Sequence, residues 1–377
     1  MSSDVRAIWP IYLSTRLGVL AVGLLGLFVV GYREHAPPWR FYENDALNLP
    51  ARWDAGWYLG IAMEGYVWDP AFSDTQQNIA FFPLYPLLMR LMSTVLGGHF
   101  LWAGVIISLA AFFLALVYVF RLSRLWLSDT HALAAVTFLA AYPFAVFFSA
   151  PYTESIFLLT IAATCYHFEQ NTLWKAAIWG LLAGVTRPNG CLLSVPLALI
   201  ALRRWREQPV TVSLTRLAVA AMPGIGMLLY SAYIYSLTGN PLQWAASNAA
   251  WGRVYKDYGT LVREHAEAIG SGGFYLYAVS QNVDLLQMAA VVLALVAVVP
   301  VFRRFGVVYA TLILANVLPP LAVGGFLSMG RVTSVLFPVF IWLGAAVPPA
   351  ARTGVIVGLA MLQAICAIGF FTWRPPY

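Results

Sequence analysis

The chain has 377 residues, of which 61% are hydrophobic and only 10% are charged, and its mean hydropathy is +0.75. So much apolar surface cannot face water, which excludes a soluble globular protein and favours a single integral membrane domain over residues 1–377. The net charge of +6 could indicate nucleic acid binding, but basic residues in membrane proteins more often report topology, so we expect no nucleic acid partner.

Apolar runs of roughly 20 residues predict an all-α polytopic membrane protein. The run from Ile8 to Gly31 is longer than the core of a signal peptide, so we interpret it as a retained first span. Two short helices over residues 175–202 are predicted to meet at TRPNG (186–190), where Pro and Gly can break a helix. With the first span and these two, the prediction is eleven spans, the others lying near 101–120, 131–150, 155–169, 217–238, 285–302, 307–326, 333–349 and 353–373.

Residues 80–98 are apolar enough to be proposed as a further span. They contain two prolines and Arg90, and a span here would move Arg121 and Arg124 to the outside. We therefore predict a juxtamembrane or re-entrant helix along the outer surface. The segment belongs to a first outer loop over 32–100, and a second large outer loop is predicted over 239–284.

The distribution of charge favours an N-terminus on the inner side of the membrane. Inner segments then hold 12 basic and four acidic residues, a charge of +8, and the outside has a charge of −2, which together give the net +6. The inner basic residues are Arg6, Arg16, Arg121, Arg124, Lys175, Arg203, Arg204, Arg206, Arg216, Arg303, Arg304 and Arg352.

Cysteine and histidine give no sign of a metal or redox site. Cys165, Cys191 and Cys366 all lie in apolar runs, where cysteine is usually a small core residue. The five histidines are scattered and do not have the spacing of metal ligands.

Acidic and aromatic residues are concentrated in ARWDAGWYLGIAMEGY (51–66), which this topology brings to the outer face. Aromatic rings anchor such segments at the depth of the lipid headgroups, and apolar surroundings strengthen any charge interaction of Asp54. The alternative is that Asp54 only caps a short helix beginning at Ala55.

Three further ionisable residues reach the same face. Glu154 stands between long apolar runs and is a functional candidate for that reason, although it could instead cap the span beginning at Ser155. Arg187 and Arg331 can bind a phosphate through paired hydrogen bonds, or close a helix end against a carbonyl. Two acids and two arginines on one membrane face predict a site for a lipid with an anionic headgroup. The sequence has no Gly-rich phosphate loop after a strand, which is the usual sign of a nucleotide-bound substrate. We therefore expect any group-donating substrate to be carried in the membrane.

RWDAGWYLGIAMEGY, AFFPLYPLL, AAYPFAVFFSAPYTES, GVTRPNG and GRVTSVLFP, in this order between about residues 12 and 340, resemble the PIG-V family. This is the mannosyltransferase family of glycosylphosphatidylinositol anchor synthesis, here most similar to its prokaryotic members. The resemblance implies a GT-C type fold and an inverting transfer of mannose from a polyprenyl-phosphate-linked donor to an acceptor hydroxyl, at the outer side of a prokaryotic plasma membrane or in the ER lumen of a eukaryote.

Carried onto this sequence, the resemblance makes Asp54 the expected general base. Donor phosphate and sugar binding is expected from Arg187, Arg331, Glu154, Asn189 and Arg52, and the aromatic platform from Trp53, Trp57, Tyr58, Tyr85 and Tyr152.

One departure concerns metal dependence. Many GT-C relatives place two acids side by side, whereas Ala55 follows Asp54 here, so we expect a metal-independent reaction without a cofactor.

The acceptor could be a glycolipid, a glycan or a protein. A flippase of the lipid-linked sugar is the main rival function and a silent scaffold is another, although the chain has only one broken-helix motif where transporters commonly have two matching ones.

Overall fold

A computed structural model describes residues 3–37, 39–203, 205–280 and 282–374. These residues form α-helices joined by short 3-10 helices and loops, and no strand occurs in the described ranges. The all-α fold predicted from the sequence is therefore confirmed. Arg204, assigned above to the inner basic residues, lies outside the described part of the chain.

The helices follow the apolar runs of the sequence closely. In the first half they are α1 (Ser3–Leu25, continued by a π-helical turn Gly26–Val30), α2 (Ala55–Glu64), α3 (Leu84–Val95), α4 (Phe100–Ser123), α5 (Asp129–Ala140), α6 (Glu154–Glu169), α7 (Leu173–Gly184) and α8 (Ser194–Arg203). In the second half they are α9 (Val210–Thr238), α10 (Gln243–Ala246), α11 (Tyr258–Ser280), α12 (Asn282–Phe305), α13 (Val307–Gly324), α14 (Met329–Ser334), α15 (Phe337–Ala346) and α16 (Pro349–Phe371).

Several of these helices are suited to an integral membrane protein. Within the described residues, six helical segments are long and apolar enough to cross a membrane, and there are seven if α5 and the 3-10 helix Pro143–Ser149 count as one broken span. Shorter apolar helices lie at Leu173–Gly184, Pro188–Arg203 and Phe337–Ala346. Every predicted span overlaps helix, although 131–150 and 333–349 are each divided between two helical pieces, and the number eleven stays a prediction.

Ion pairs gather the polar ends of three helices at one end of the molecule. Asp4 at the start of α1 pairs with Arg121 (2.8 Å) and Arg124 (3.1 Å) at the end of α4. Arg124 also pairs with Asp129, the first residue of α5 (2.9 Å). These charges share one side of the bundle, as their common inner assignment requires. The segment that follows α1, with Asp54, lies at the other end of that helix.

The helix after α5 breaks sharply, and a buried arginine occupies the break. Pro143 has no N–H to continue α5, and the two helical pieces meet at 78°. Arg16, on α1, donates from Nη1 to the carbonyl of Ala145 (2.6 Å) and from Nη2 to that of Ala140 (2.8 Å). Gln363 on α16 donates to the carbonyls of Ala140 (3.0 Å) and Tyr142 (2.8 Å). The backbone acceptors released at the break are therefore satisfied inside the bundle.

The disputed segment 80–98 contains α3, whose 12 residues extend about 18 Å and are too short to cross a bilayer. One face, with Tyr85 and Met89, is buried on the bundle, and the opposite face exposes Leu87, Leu91 and Val95. This two-sided character is typical of a helix lying on a membrane surface. Its juxtamembrane position stays a prediction.

Arg16→Met should lower the free energy of unfolding by about 1–3 kcal/mol, because buried carbonyls at the break lose their donor. Denaturant-induced unfolding in detergent micelles measures the difference. Arg6→Met, which removes an exposed arginine from the same helix, is the control and should change stability little. Equal effects of the two substitutions would contradict the role given to Arg16.

Candidate active site

Asp54 stands directly before α2, in a turn with unusual backbone geometry. Trp53 has a φ of +53°, a left-handed conformation that is uncommon for a bulky residue and that changes the direction of the backbone here. The helix begins at Ala55, as the capping alternative required, but no capping hydrogen bond from the Asp54 side chain to the described backbone exists. The carboxylate instead pairs through Oδ2 with Nη1 of Arg331 at 2.6 Å. Asp54 is therefore directed away from its own helix.

The turn around Asp54 is held from two sides. The hydroxyl of Tyr152 donates to the carbonyl of Arg52 (3.1 Å) and accepts from the Asp54 N–H (3.0 Å). The guanidinium of Arg52 donates to the carbonyls of Phe371 (2.8 Å), Asn48 (2.7 Å) and Ala51 (2.8 Å), and to the Tyr32 hydroxyl (3.0 Å). Arg52 thus fixes the backbone that carries Asp54.

Glu154, the first residue of α6, accepts two arginines on one oxygen. Its Oε1 lies 2.6 Å from Nε of Arg331 and 3.0 Å from Nη1 of Arg187. Its Oε2 is also buried and has no hydrogen-bond partner among the described residues. Asp54, Arg331, Glu154 and Arg187 consequently form a continuous chain of alternating charges, hereafter the charge chain.

Exposure is lowest at Glu154 and rises toward both ends of the charge chain. The side chain of Glu154 is 0% exposed, that of Arg331 8%, that of Arg187 16% and that of Asp54 23%. An approaching molecule can therefore reach Asp54, whereas Glu154 is enclosed. The Oδ1 atom of Asp54 carries no hydrogen bond in the described ranges and is open to a ligand.

Arg331 reaches the site from the short helix α14, which is shaped by close contacts. Ser328, just before it, has a φ of +60°, a second left-handed residue beside the site. A Cβ on Gly330 would lie 2.2 Å from the ring of Phe144, so only glycine fits there. The Gly330 N–H donates to Oε1 of Gln287 on α12. Packing on α12 and Phe144 therefore sets the position of Arg331.

Aromatic rings enclose the guanidinium of Arg331. Its Cζ lies 4.7 Å from the ring centre of Tyr152 and 5.1 Å from that of Phe147. These rings exclude water from the charge chain and strengthen its ion pairs.

A second group of aromatic residues, hereafter the platform, lies around Trp57, one turn after Asp54, and consists of Trp57, Tyr58, Phe81 and Trp251. It shares only Trp57 and Tyr58 with the aromatic platform expected from the sequence. Trp57 stacks on Phe81 with a centroid distance of 5.7 Å and an angle of 16°, and Trp251 contacts both rings edge-on. Tyr58 is buried beneath, with its hydroxyl 3.4 Å from Thr153 Oγ1. Burial, and then the charge of Glu154, raises the pKa of Tyr58 to about 12, so the phenol stays protonated at neutral pH.

Sequence reasoning grouped eleven residues at the site, and the structure divides them. The ion-pair network joins Asp54, Glu154, Arg187 and Arg331, with Tyr152, Trp57 and Tyr58 around it. Tyr85 donates to the carbonyl of Gly104 (2.8 Å) and contacts Ser108 (2.7 Å) in the core. Asn189 donates to Asn316 on α13 (2.8 Å), and Trp53 packs on Trp373 at 5.1 Å. No described hydrogen bond or ion pair links Arg52, Asn189 or Tyr85 to the charge chain.

Phe147 beside Arg331, Gln287 behind Gly330, and Phe81 and Trp251 against Trp57 were not among the eleven residues grouped from the sequence. The isolated glutamine of the apolar run 285–302 was a usable signal, because polar side chains in such runs usually bond to another helix. Phe147 stands among many aromatic residues and gave none. Within the described ranges, no three His, Cys, Asp or Glu side chains converge as a metal site would require.

A family model described as Mannosyltransferase (PIG-V) matches residues 40–237, just over half of the chain. None of the curated proteins compared with the chain matches it. Among solved structures, the oligosaccharyltransferase of Archaeoglobus fulgidus in complex with zinc and sulfate is 11% identical, covering 96% of this chain and 53% of its own, with a TM-score of 0.43. The same enzyme tethered to an acceptor peptide with an NVT sequon through a disulfide bond gives 11% identity, 100% and 56% coverage and a TM-score of 0.44. The chain thus spans about half the length of these structures.

Glu154→Gln should lower the free energy of unfolding by about 3–5 kcal/mol, because it leaves two arginines facing a neutral group in a buried site. Asp54→Asn, at a more exposed position, should cost about 1 kcal/mol or less. Denaturant unfolding in detergent compares the two, with Glu64→Gln in the exposed end of α2 as the control. A larger cost for Asp54→Asn than for Glu154→Gln would contradict the order of burial.

Proposed function

Because this chain belongs to the PIG-V mannosyltransferase family, we propose that it is an inverting mannosyltransferase of the membrane, using a polyprenyl-phosphate-linked mannose. The acceptor is a hydroxyl of a glycolipid, a glycan or a protein at the outer face. The observation that carries this proposal is the charge chain, with the partly exposed carboxylate of Asp54 at one end, Arg331 beside it and Arg187 beyond Glu154. We also propose the GT-C type fold that the family resemblance implies and the eleven spans that hydropathy predicts.

Asp54 is the general base of the proposed reaction. Its Oδ2 is oriented by Arg331, and Oδ1 is left to accept the proton of the acceptor hydroxyl. As that oxygen bonds to the anomeric carbon, the bond from this carbon to the phosphate oxygen breaks and its electron pair goes to the phosphate. A single displacement inverts the configuration, and the proton ends on Asp54.

The arginines bind the phosphate of the donor. Arg187 uses Nη1 for Glu154, which leaves its other N–H groups for phosphate oxygens. Arg331 uses Nε and Nη1 for the two acids and offers Nη2. Neutralising the leaving phosphate lowers the barrier most when water is excluded, as the rings of Tyr152 and Phe147 do here.

Enclosed Glu154 holds both arginines in place, and the platform binds the sugar or the first prenyl units against Trp57 and Phe81. We propose a reaction that does not need a metal, because each of the two acids already pairs with an arginine and, among the described residues, no third acid, histidine or cysteine joins them.

Asp54→Asn should keep the fold and donor binding and reduce transfer between about 10²- and 10⁴-fold, since the amide cannot accept the proton. The assay incubates purified protein with a panel of lipid-linked sugars and acceptors and measures release of polyprenyl phosphate. Glu64→Gln, an exposed acid on the same helix, should retain full activity. Near-normal turnover by Asp54→Asn would remove the base assignment, and translocation of the donor without release of phosphate would identify a flippase.

The proposed orientation predicts which surfaces a membrane-impermeant maleimide reaches in intact cells. Asp74→Cys, exposed in the first loop, should react from outside, and Asp129→Cys, whose native side chain is 68% exposed, should react only after permeabilisation. The opposite labelling pattern would place Asp54 on the cytosolic side and contradict the proposal.

A further inference from the structure

A segment between α10 and α11, residues 247–258, contacts Trp57 and Phe81 and is hereafter the arm. It begins with the 3-10 helix Ser247–Trp251 and ends at the start of α11. The Lys256 N–H donates to the carbonyl of Ala322 (2.8 Å), and the Tyr258 hydroxyl to that of Leu318 (3.0 Å). At the other end, Gln76 donates to the carbonyl of Ala250 (3.4 Å). The arm therefore bridges the first loop and α13.

Trp251 brings the arm to the platform. Its ring lies 5.6 Å from that of Trp57 and 5.6 Å from that of Phe81, at angles of 67° and 76°. Trp57 follows Asp54 by one helical turn, so the arm forms a wall of the same site.

Two residues further along the arm, Arg253 lies near Asp54 but forms no ion pair with it. Its guanidinium packs on Gly324, where an added Cβ would meet Nη1 at 3.3 Å. No ion pair of Arg253 exists among the described residues. Burial, followed by the positive charges of Arg331 and Arg187, lowers the pKa of Arg253 to about 10. Three guanidinium groups therefore lie close enough to repel one another.

The charges at the site do not balance. Among the described residues, Arg187, Arg253 and Arg331 share two acids, Asp54 and Glu154, which leaves one positive charge in a partly dehydrated place. An anion bound between the arm and the charge chain would neutralise the extra positive charge. Arg253 is suited to bind it, because its guanidinium N–H groups donate no hydrogen bond to the described residues.

We propose that Arg253 binds the phosphate of the donor and stabilises the charge that this phosphate gains as it leaves, an inference that rests on the proposed function. The lipid-linked phosphodiester carries one negative charge. When the bond from the anomeric carbon to the phosphate oxygen breaks, the electron pair stays on that oxygen and the phosphate carries two. Arg253 therefore interacts more strongly with the departing phosphate than with the phosphate of the bound donor. Its contribution should appear mainly in kcat.

Arg253→Gln should lower kcat roughly 100-fold and change KM for the donor far less. It should also weaken inhibition by added polyprenyl phosphate, the product with two charges, more than binding of the donor. Arg263→Gln removes an exposed arginine from α11 and should leave all three quantities unchanged. Arg253→Lys keeps the charge and should recover part of the lost kcat.

A second variant covers the case in which Arg253→Gln does not fold. Gly324→Ala inserts a methyl group against Nη1 of Arg253 and should lower kcat in the same direction by a smaller factor. Unchanged kcat and product inhibition in the folded variants would overturn the role of Arg253 while the mannosyltransferase activity stands.

A binding experiment tests the role of Arg253 independently of the proposed function. If the wild-type chain released no phosphate from any donor, the proposed function would fail. Quenching of tryptophan fluorescence by polyprenyl phosphate, which the platform should report, would still test Arg253. Weaker quenching in Arg253→Gln than in Arg263→Gln supports an anion site at the arm, and equal quenching in the two variants would contradict such a site.

Discussion

The guanidinium of Arg331, bonded at once to Asp54 and Glu154, is the interaction on which the rest of the site depends. An arginine enclosed by two aromatic rings is costly to dehydrate, and only the two carboxylates offset that cost. The pairing ties α14 to the turn before α2 and to the start of α6. Left-handed backbone at Trp53 and Ser328 is tolerated on either side because these ties leave the chain no other path.

The two acids of the site are chemically unequal, although each is one carboxylate beside Arg331. Glu154 shares one oxygen between two arginines and is shut off from solvent, so it acts as a fixed counter-charge. Asp54 has one oxygen engaged and one open, at the margin of the cluster. A group of this kind can exchange a proton with a visiting molecule while its orientation stays fixed.

Hydropathy was sufficient to predict the all-α architecture, and each predicted span overlaps helix because long apolar runs have few alternatives in a membrane. The break after Ala140 was not foreseen, since Tyr142-Pro143 reads as part of one continuous run until Arg16 and Gln363 are seen to satisfy the carbonyls there. Asp54, Glu154, Arg187 and Arg331 were singled out because ionisable groups are rare among apolar residues. The sequence could not predict that these residues pair with one another, because Asp54 and Arg331 are separated by 277 positions. Arg52 and Asn189 were grouped with them by type, but donor direction decides their contacts, and a sequence does not show it.

The wide separation of Asp54 and Arg331 along the chain also bears on biogenesis. A ribosome that has delivered α2 and α6 to the membrane has made two acids whose shared arginine is not yet synthesised. Until α14 arrives, Glu154 has only Arg187 to neutralise it and Asp54 has no partner from the charge chain. The nascent protein therefore cannot assemble the charge chain before α14 is synthesised, which is after most of its helices.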